Sequence, residues 1–422
     1  MRPPAGPCLV KRTSMPSSTR YAWLPLALAC STALADVAPS TRALHERLIV
    51  LDSHLDTPMQ LARPGWDIGQ RHRYADDLSQ VDLPRMRDGG LDGGFFAIFT
   101  PQGPLTPEGR TLASEHGLAV ITRIRDMVAA RPDAFALATR AQEVPAIVAS
   151  GRRVVLISME NAEPLAADPG RLATYHRLGL RMLGLVHAQN NDFADSATAL
   201  PHWHGLSPAG RELVQAANRL GILIDVSHAS DAVFDQVLAL SRAPVIASHS
   251  GARAIGPHPR NLDDERLRQL AAGGGVVQVN TYASDLVPRA ANPARDKALA
   301  PLYREFRLAA SLPPAQVADL ARRIREVEAR YPLPATSLDD FMAHLLHILD
   351  VVGPRHVGIG ADWDGGGGVA GLRDVSDLPE ITARLLAAGY SEQDLADIWG
   401  GNLLRVMGEA QAAAAASSGV SK

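Results

Sequence analysis

Six apolar runs in this chain end in side chains that can bind a metal or move a proton. The run at residues 48–51 leads into Asp52-Ser53-His54-Leu55-Asp56, and the run at 154–159 ends at Glu160. The others end at His187, His228, His249 and Asp362, with Asp364 two residues further on. On an extended chain residues two apart share a face, so His54 and Asp56 form an imidazole–carboxylate pair suited to a divalent ion such as zinc. A lone histidine closing an apolar strand is more often a hydrogen-bonded structural residue. Six such ends in matching register call for a common cause. Burying so many ionisable groups together is costly unless a cation neutralises them. Three histidines and two carboxylates are more than one four-coordinate zinc with an open position needs, whereas two ions bridged by a carboxylate use all five. A bridged pair holds a hydroxide at lowered pKa and polarises a carbonyl, which is the chemistry of amide or ester hydrolysis.

The elements that must position these groups follow from the apolar pattern. Strands are expected at residues 48–54, 93–99, 154–160, 182–187, 222–228, 244–249, 275–280 and 356–362. They are apolar nearly throughout, as for parallel strands covered on both faces. Helices are expected between them, each with a start signal: from Thr106-Pro107 to about Ala130, from Ser207-Pro208 to Leu220 with Gly221 as its stop, from Ser230 to Leu240, and from Ser337 to Val352. Eight strands alternating with helices predict an α/β fold of the (β/α)8 TIM-like barrel type, whose active sites lie at the C-terminal strand ends. A short strand at residues 135–138 falls outside the count. Residues 283–335, rich in Pro, Ala and Arg with a helix near 315–329, are too long for an ordinary loop and follow the seventh strand. That places them beside the barrel mouth, either as a lid or wall of the substrate pocket or as a structural flap.

Residues 1–35 are set apart from this fold. Arg2, Lys11, Arg12 and Arg20 precede an apolar run at 22–29, and Ala33-Leu34-Ala35 supplies a small-x-small cleavage pattern, so the segment reads as a signal peptide. The apolar run is too short to span a bilayer. Translation from Met15 would give a more compact leader, and Cys30 would allow a lipid anchor, although the residue three before it is Ala27 rather than Leu. Both cysteines, Cys8 and Cys30, lie in this segment, so a mature chain beginning at residue 36 has no disulfide to rely on. Losing its four basic residues takes the net charge from −3 to −7, which gives no electrostatic case for nucleic acid or an anionic membrane. The expected organisation is therefore a periplasmic or secreted protein with one barrel domain over 36–410. An Ala/Ser-rich tail over 411–422 is expected to fray.

Several segments resemble the membrane (renal) dipeptidase family of zinc peptidases, in that family's order and from about residue 46 to 408. They are Ser53-His54-Leu55-Asp56-Thr57-Pro58, Ile157-Ser158-Met159-Glu160, Leu223-Ile224-Asp225-Val226-Ser227-His228, Ala247-Ser248-His249-Ser250, Pro257-His258-Pro259-Arg260-Asn261 and Gly358-Ile359-Gly360-Ala361-Asp362-Trp363-Asp364-Gly365. The resemblance implies a dipeptidase with two Zn2+ per chain. His54 and Asp56 would hold one ion, His228 and His249 the other, and Glu160 would bridge them. It implies that His187 contacts the substrate and its tetrahedral intermediate, and that Arg260 takes the dipeptide's C-terminal carboxylate. Asp362 would be the acid–base residue. Asp364 competes for that role on sequence, but Asp362 is the residue that ends the strand. A homodimer is the assembly the resemblance suggests.

Two positions depart from the family pattern: Leu55 stands where a polar residue is common, and Asn161 where glycine is usual. Both are expected to bear on pocket shape. The C-terminal tail lacks the apolar stretch of a lipid-anchor signal. Two alternatives stay open. The same centre could act on another carboxylate-bearing amide or a lactam, or the barrel could serve an exported peptide-maturation or binding factor without hydrolysis.

Overall fold

The computed structural model describes residues 37–289, 291–307 and 312–419, so the expected leader over 1–35 lies outside the described residues. Nine strands are formed among them: β1 (Leu51–Leu55), β2 (Gly93–Phe99), β3 (Phe135–Leu137), β4 (Arg153–Glu160), β5 (Leu180–Gly184), β6 (Leu223–Asp225), β7 (Ile246–Ser250), β8 (Val276–Val279) and β9 (Val357–Ile359). All pair in parallel in the order β1-β2-β4-β5-β6-β7-β8-β9, while β3 pairs with β4 off that path. The ring closes where Leu55 bridges Trp363 and the Asp56 N–H donates to the Trp363 carbonyl at 2.8 Å. This is the expected eight-stranded barrel, with residues 135–137 as the extra strand.

The four helices read from their start signals form at Pro107–Ala130, Pro208–Leu220, Asp231–Leu240 and Leu338–Val352. Their caps are the expected residues: Thr106, Ser207, Ser230 and Ser337 each accept a backbone N–H of the first turn. Each such cap stabilises its helix by about 1 kcal/mol.

Seven ring strands each contribute a buried apolar residue near their N-terminal ends: Leu51, Phe95, Leu156, Met182, Leu223, Ile246 and Val276. These pack on Leu403, Val406 and Met407 of the helix Asn402–Gly419, which stops the end of the barrel opposite the ionisable groups. Fully burying each such side chain contributes roughly 1.5–3 kcal/mol. The same helix changes the expectation for the tail. It runs through 411–419 because alanine is the strongest helix former. The Gln411 side chain ties it to the Thr139 carbonyl at 2.8 Å.

The segment at 283–335 carries two longer helices, Pro293–Arg307 and Pro314–Arg330. Leu299, Leu302, Leu320 and Ile324 give it a small core of its own, with Leu78 packed against it. The Arg63 guanidinium lies over the Phe306 ring at 4.6 Å. The segment follows β8, the seventh strand of the ring, and docks on the loop between β1 and β2.

Candidate metal centre and active site

Glu160, the last residue of β4, stands at the middle of the rim. Its Oε2 is 3.2 Å from His54 Nε2. Its Oε1 is 2.9 Å from His228 Nε2, 3.5 Å from His249 Nε2 and 3.6 Å from His187 Nε2. His54 Nε2 in turn lies 3.7 Å from Asp56 Oδ2 and 4.0 Å from Asp362 Oδ1. Three overlapping groups of ligand atoms fall within 4.8 Å: His54, Glu160 and His249; Glu160, His187 and His228; His54, Asp56 and Asp362. Arg260 joins the same rim by donating from Nη2 to the His249 carbonyl at 3.1 Å. Of the side chains singled out from the sequence, all but Asp364 therefore meet in one place. The geometry also sets His187 among ligand-type neighbours, beside its suggested role toward substrate.

The backbone reaches this arrangement by irregular routes. β1 changes register between Asp52 and Leu55, and Asp56 lies past the strand at the start of the 3-10 turn Thr57–Ala62. A bulge and a turn, not regular strand alternation, bring His54 and Asp56 together. His228 and Asp362 each sit three residues beyond their strands with φ of +64° and +65°. That left-handed conformation costs a non-glycine residue of order 1–3 kcal/mol and persists where the surroundings enforce it.

The donor set fits a cation. His54 Nδ1 and Nε2, Asp56 Oδ1 and Glu160 Oε2 are buried without hydrogen-bond partners. Burial opposes charge on Glu160, but His54 and His187 outweigh it and hold its carboxyl well below the usual range. Burial, joined by the charge of Arg260 at His228 and of His54 at His249, holds those two imidazoles well below their usual pKa, the neutral form that ligates metal. Burial also opposes charge on His54, yet Glu160 and Asp56 raise it well above its ordinary value. Burial, reinforced by Glu160, pushes Asp56 up to about 6. Burial pushes Asp362 well above the carboxylate range, against the opposing charge of His54. Carboxylates this crowded and dry accept protons readily or share a positive ion.

Asp364 has a different surrounding. It accepts from Thr57 Oγ1 at 2.8 Å, Gln60 Nε2 at 3.2 Å and the Gln80 N–H at 2.7 Å, and so ties the loop after β1 to the one after β9. Of the two aspartates, only Asp362 falls in a ligand-type group. The departures from the family pattern are also placed. Leu55 is fully buried in the main core, turned away from the rim. Asn161 has φ +68°, a conformation in which asparagine is the best-tolerated substitute for glycine. Its side chain donates to the Thr100 carbonyl at 3.1 Å and accepts from Asn191 Nδ2 at 2.8 Å.

Sequence reasoning assigned no role to Asp52, Asp225 or Ser248. Asp52 is buried between β1 and β9, where Oδ1 accepts the His54 N–H at 2.8 Å and Oδ2 the Ala361 N–H at 3.1 Å. Burial pushes it up to about 7. The available signal was an acidic residue inside an otherwise apolar strand, two or three positions before a histidine.

Comparison with known proteins places this geometry. A family model described as membrane dipeptidase (peptidase family M19) matches residues 39–421. Dipeptidase tcpJ of Claviceps purpurea is 30% identical over 385 residues, covering 87% of this chain and 79% of the relative. Dipeptidase ataJ of Aspergillus terreus is 32% identical, covering 86% and 84%. Among solved structures, the probable dipeptidase PvdM from Pseudomonas aeruginosa superposes with a TM-score of 0.76 at 31% identity, covering 89% of this chain and 98% of that one. A metallo peptidase from Rhodobacter sphaeroides, liganded with a phosphinate mimic of the dipeptide L-Ala-D-Ala, superposes with a TM-score of 0.68 at 28% identity, covering 86% and 99%.

Proposed function

The chain belongs to the membrane dipeptidase family, peptidase family M19, and is a metallo-dipeptidase; from that premise we propose that it is exported, holds two zinc ions per chain and hydrolyses dipeptides that carry a free C-terminal carboxylate. The observation that carries the reading is the position of Glu160. One oxygen faces His54, on the side of Asp56, and the other faces His228 and His249. Ions bound in these two sets would lower the pKa of a shared water and polarise the scissile carbonyl. Arg260, buried against the His249 carbonyl, turns its remaining N–H groups to the substrate carboxylate. His187, at 25% side-chain exposure the most open of these imidazoles, hydrogen-bonds the oxygen of the tetrahedral species. Asp362 takes the proton of the attacking water and returns it to the leaving amine. The basic and apolar leader at residues 1–35 supports export.

The test is a panel of dipeptides varied in both side chains and in the configuration of the second residue. The Rhodobacter sphaeroides complex is the reason to include L-Ala-D-Ala. We expect close to two zinc per chain and loss of turnover on chelation. Asp362→Asn should lower kcat by about 10²–10⁴-fold while metal is retained. Arg260→Leu should act mainly by raising KM. A folded, fully loaded protein that cleaves no member of the panel would overturn the reading.

A further inference from the structure

β6 leads into His228 and β7 carries His249 near its end, yet the ladder between them has one residue pair, Asp225–Ile246. The backbone bond that closes this pair runs from the Val226 N–H to the Ile246 carbonyl at 2.8 Å. Beyond it, side chains continue the connection. Asp225 Oδ1 accepts the Ser227 N–H and the Ser248 N–H, each at 2.9 Å. Ser227 Oγ accepts the His249 N–H at 3.0 Å. Ser248 Oγ donates to Asp225 Oδ2 at 2.5 Å and lies 2.8 Å from His249 Nδ1. Asp225, Ser227, Ser248 and His249 are all buried, so no bulk water competes for these bonds.

The direction of the chain of bonds fixes a proton. A carboxylate oxygen only accepts, so the serine hydroxyl points its hydrogen at Asp225 and its lone pair at His249. Nδ1 then carries the imidazole hydrogen, and Nε2, facing Glu160 at 3.5 Å, keeps the free lone pair. We propose that Asp225 and Ser248 are positioning residues that select the metal-binding tautomer of His249 and set its spacing from His228. The proposal rests on the reading of this rim as a zinc centre. His228 has no matching relay, since its Nδ1 is buried without a partner. Damage to the relay therefore falls on the ion that His249 holds.

Two variants separate this role from mere structural support. Asp225→Asn keeps the volume and the Oδ1 acceptor, but its amide donates to Ser248 and turns the hydroxyl hydrogen toward Nδ1. That forces the imidazole hydrogen onto Nε2, the ligating nitrogen. Ser248→Ala removes the relay and leaves the backbone bonds of Asp225 in place. Zinc affinity is measured by chelator competition on both variants and the parent chain, next to the Tm of each metal-free protein. Imidazole nitrogen NMR of the metal-free chains reports the His249 tautomer without any zinc. We expect one ion to bind as in the parent and the other about 10–100-fold more weakly, with metal-free Tm values close to the parent's. The His249 hydrogen should move from Nδ1 to Nε2 in Asp225→Asn. Unchanged zinc affinity in both variants, or weakening only in step with a fall in metal-free Tm, overturns the proposal; should Asp225→Asn not fold, Ser248→Ala decides alone. A parent chain that binds no zinc removes the premise, and the same titration reads that result separately.

Discussion

Gly365 shows how closely the rim is packed at the scale of single residues. A Cβ added there would lie 2.1 Å from Asp56 Oδ2 and 2.3 Å from Asp362 Oδ1, a separation no real carbon tolerates. Glycine is required because the backbone after β9 runs against both carboxylates at once. Gly365→Ala should displace the pair and lower kcat/KM by about 10²-fold or more, since misplacing reacting groups by about 1 Å costs that much. Its zinc content should fall as well, and steady-state kinetics with metal analysis of the variant checks both. The residue scale also shows which parts of the centre are legible in the sequence. Ligand-type residues at strand ends stand out because each follows an apolar run. Gly365 and Asp52 stand out less, because each also depends on a contact far away in the chain, Gly365 against Asp56 and Asp52 against Ala361. Asn161 reads as a departure from pattern until its positive φ shows that the backbone there accepts glycine or asparagine for one physical reason.

At the scale of elements, the strands and capped helices could be read from sequence because their signals are local: apolar runs bounded by turn residues, and Ser or Thr before a helical pattern. The bulge in β1 and the left-handed residues after β6 and β9 could not be, because tertiary contacts impose them against local preference. The packing of the N-terminal helix Pro39–His45 is another such contact. His45 is buried, with Nε2 2.9 Å from the Gly89 carbonyl and Nδ1 2.7 Å from Thr382 Oγ1, and its ring meets Trp399 edge-on at 5.1 Å. Burial lowers its pKa from 6.5 to about 4. The unfolded chain therefore binds this proton more readily than the folded one between those values. The stability His45 contributes is complete above about pH 6.5 and is lost as the pH falls toward 4, by roughly 3 kcal/mol in all. Denaturant titrations across that range should show the parent chain losing this much stability relative to His45→Gln as the pH falls, because the buried carboxylates that titrate in the same window do so in both proteins. An identical slope in the two proteins would show that the contribution is misassigned.

For the whole molecule, one apolar cluster and the ionisable cluster occupy opposite ends of the barrel. Leu403, Val406 and Met407 seal one end and the ligand-type side chains fill the other. The packing at the sealed end therefore does not depend on bound ions. Removing zinc should lower the unfolding free energy by about 4 kcal/mol for each ion lost where free zinc stood at a thousand times its Kd. The far-UV circular dichroism at 25 °C should stay the same, and a loss of helical signal on chelation would contradict that separation. Among the described residues no helix is long and apolar enough to cross a membrane. The seam that closes the ring has a consequence for how the molecule is made. Asp52 bonds to Ala361 across 309 residues of chain, at the place where the strand leading into His54 and Asp56 meets the strand leading into Asp362. Ribosomes add about 5–20 residues per second, so His54 and Asp56 emerge roughly 15–60 s before the partners that complete their pocket. During that interval the nascent chain offers half a binding site, and the enzyme can acquire its activity only as its last quarter is synthesised.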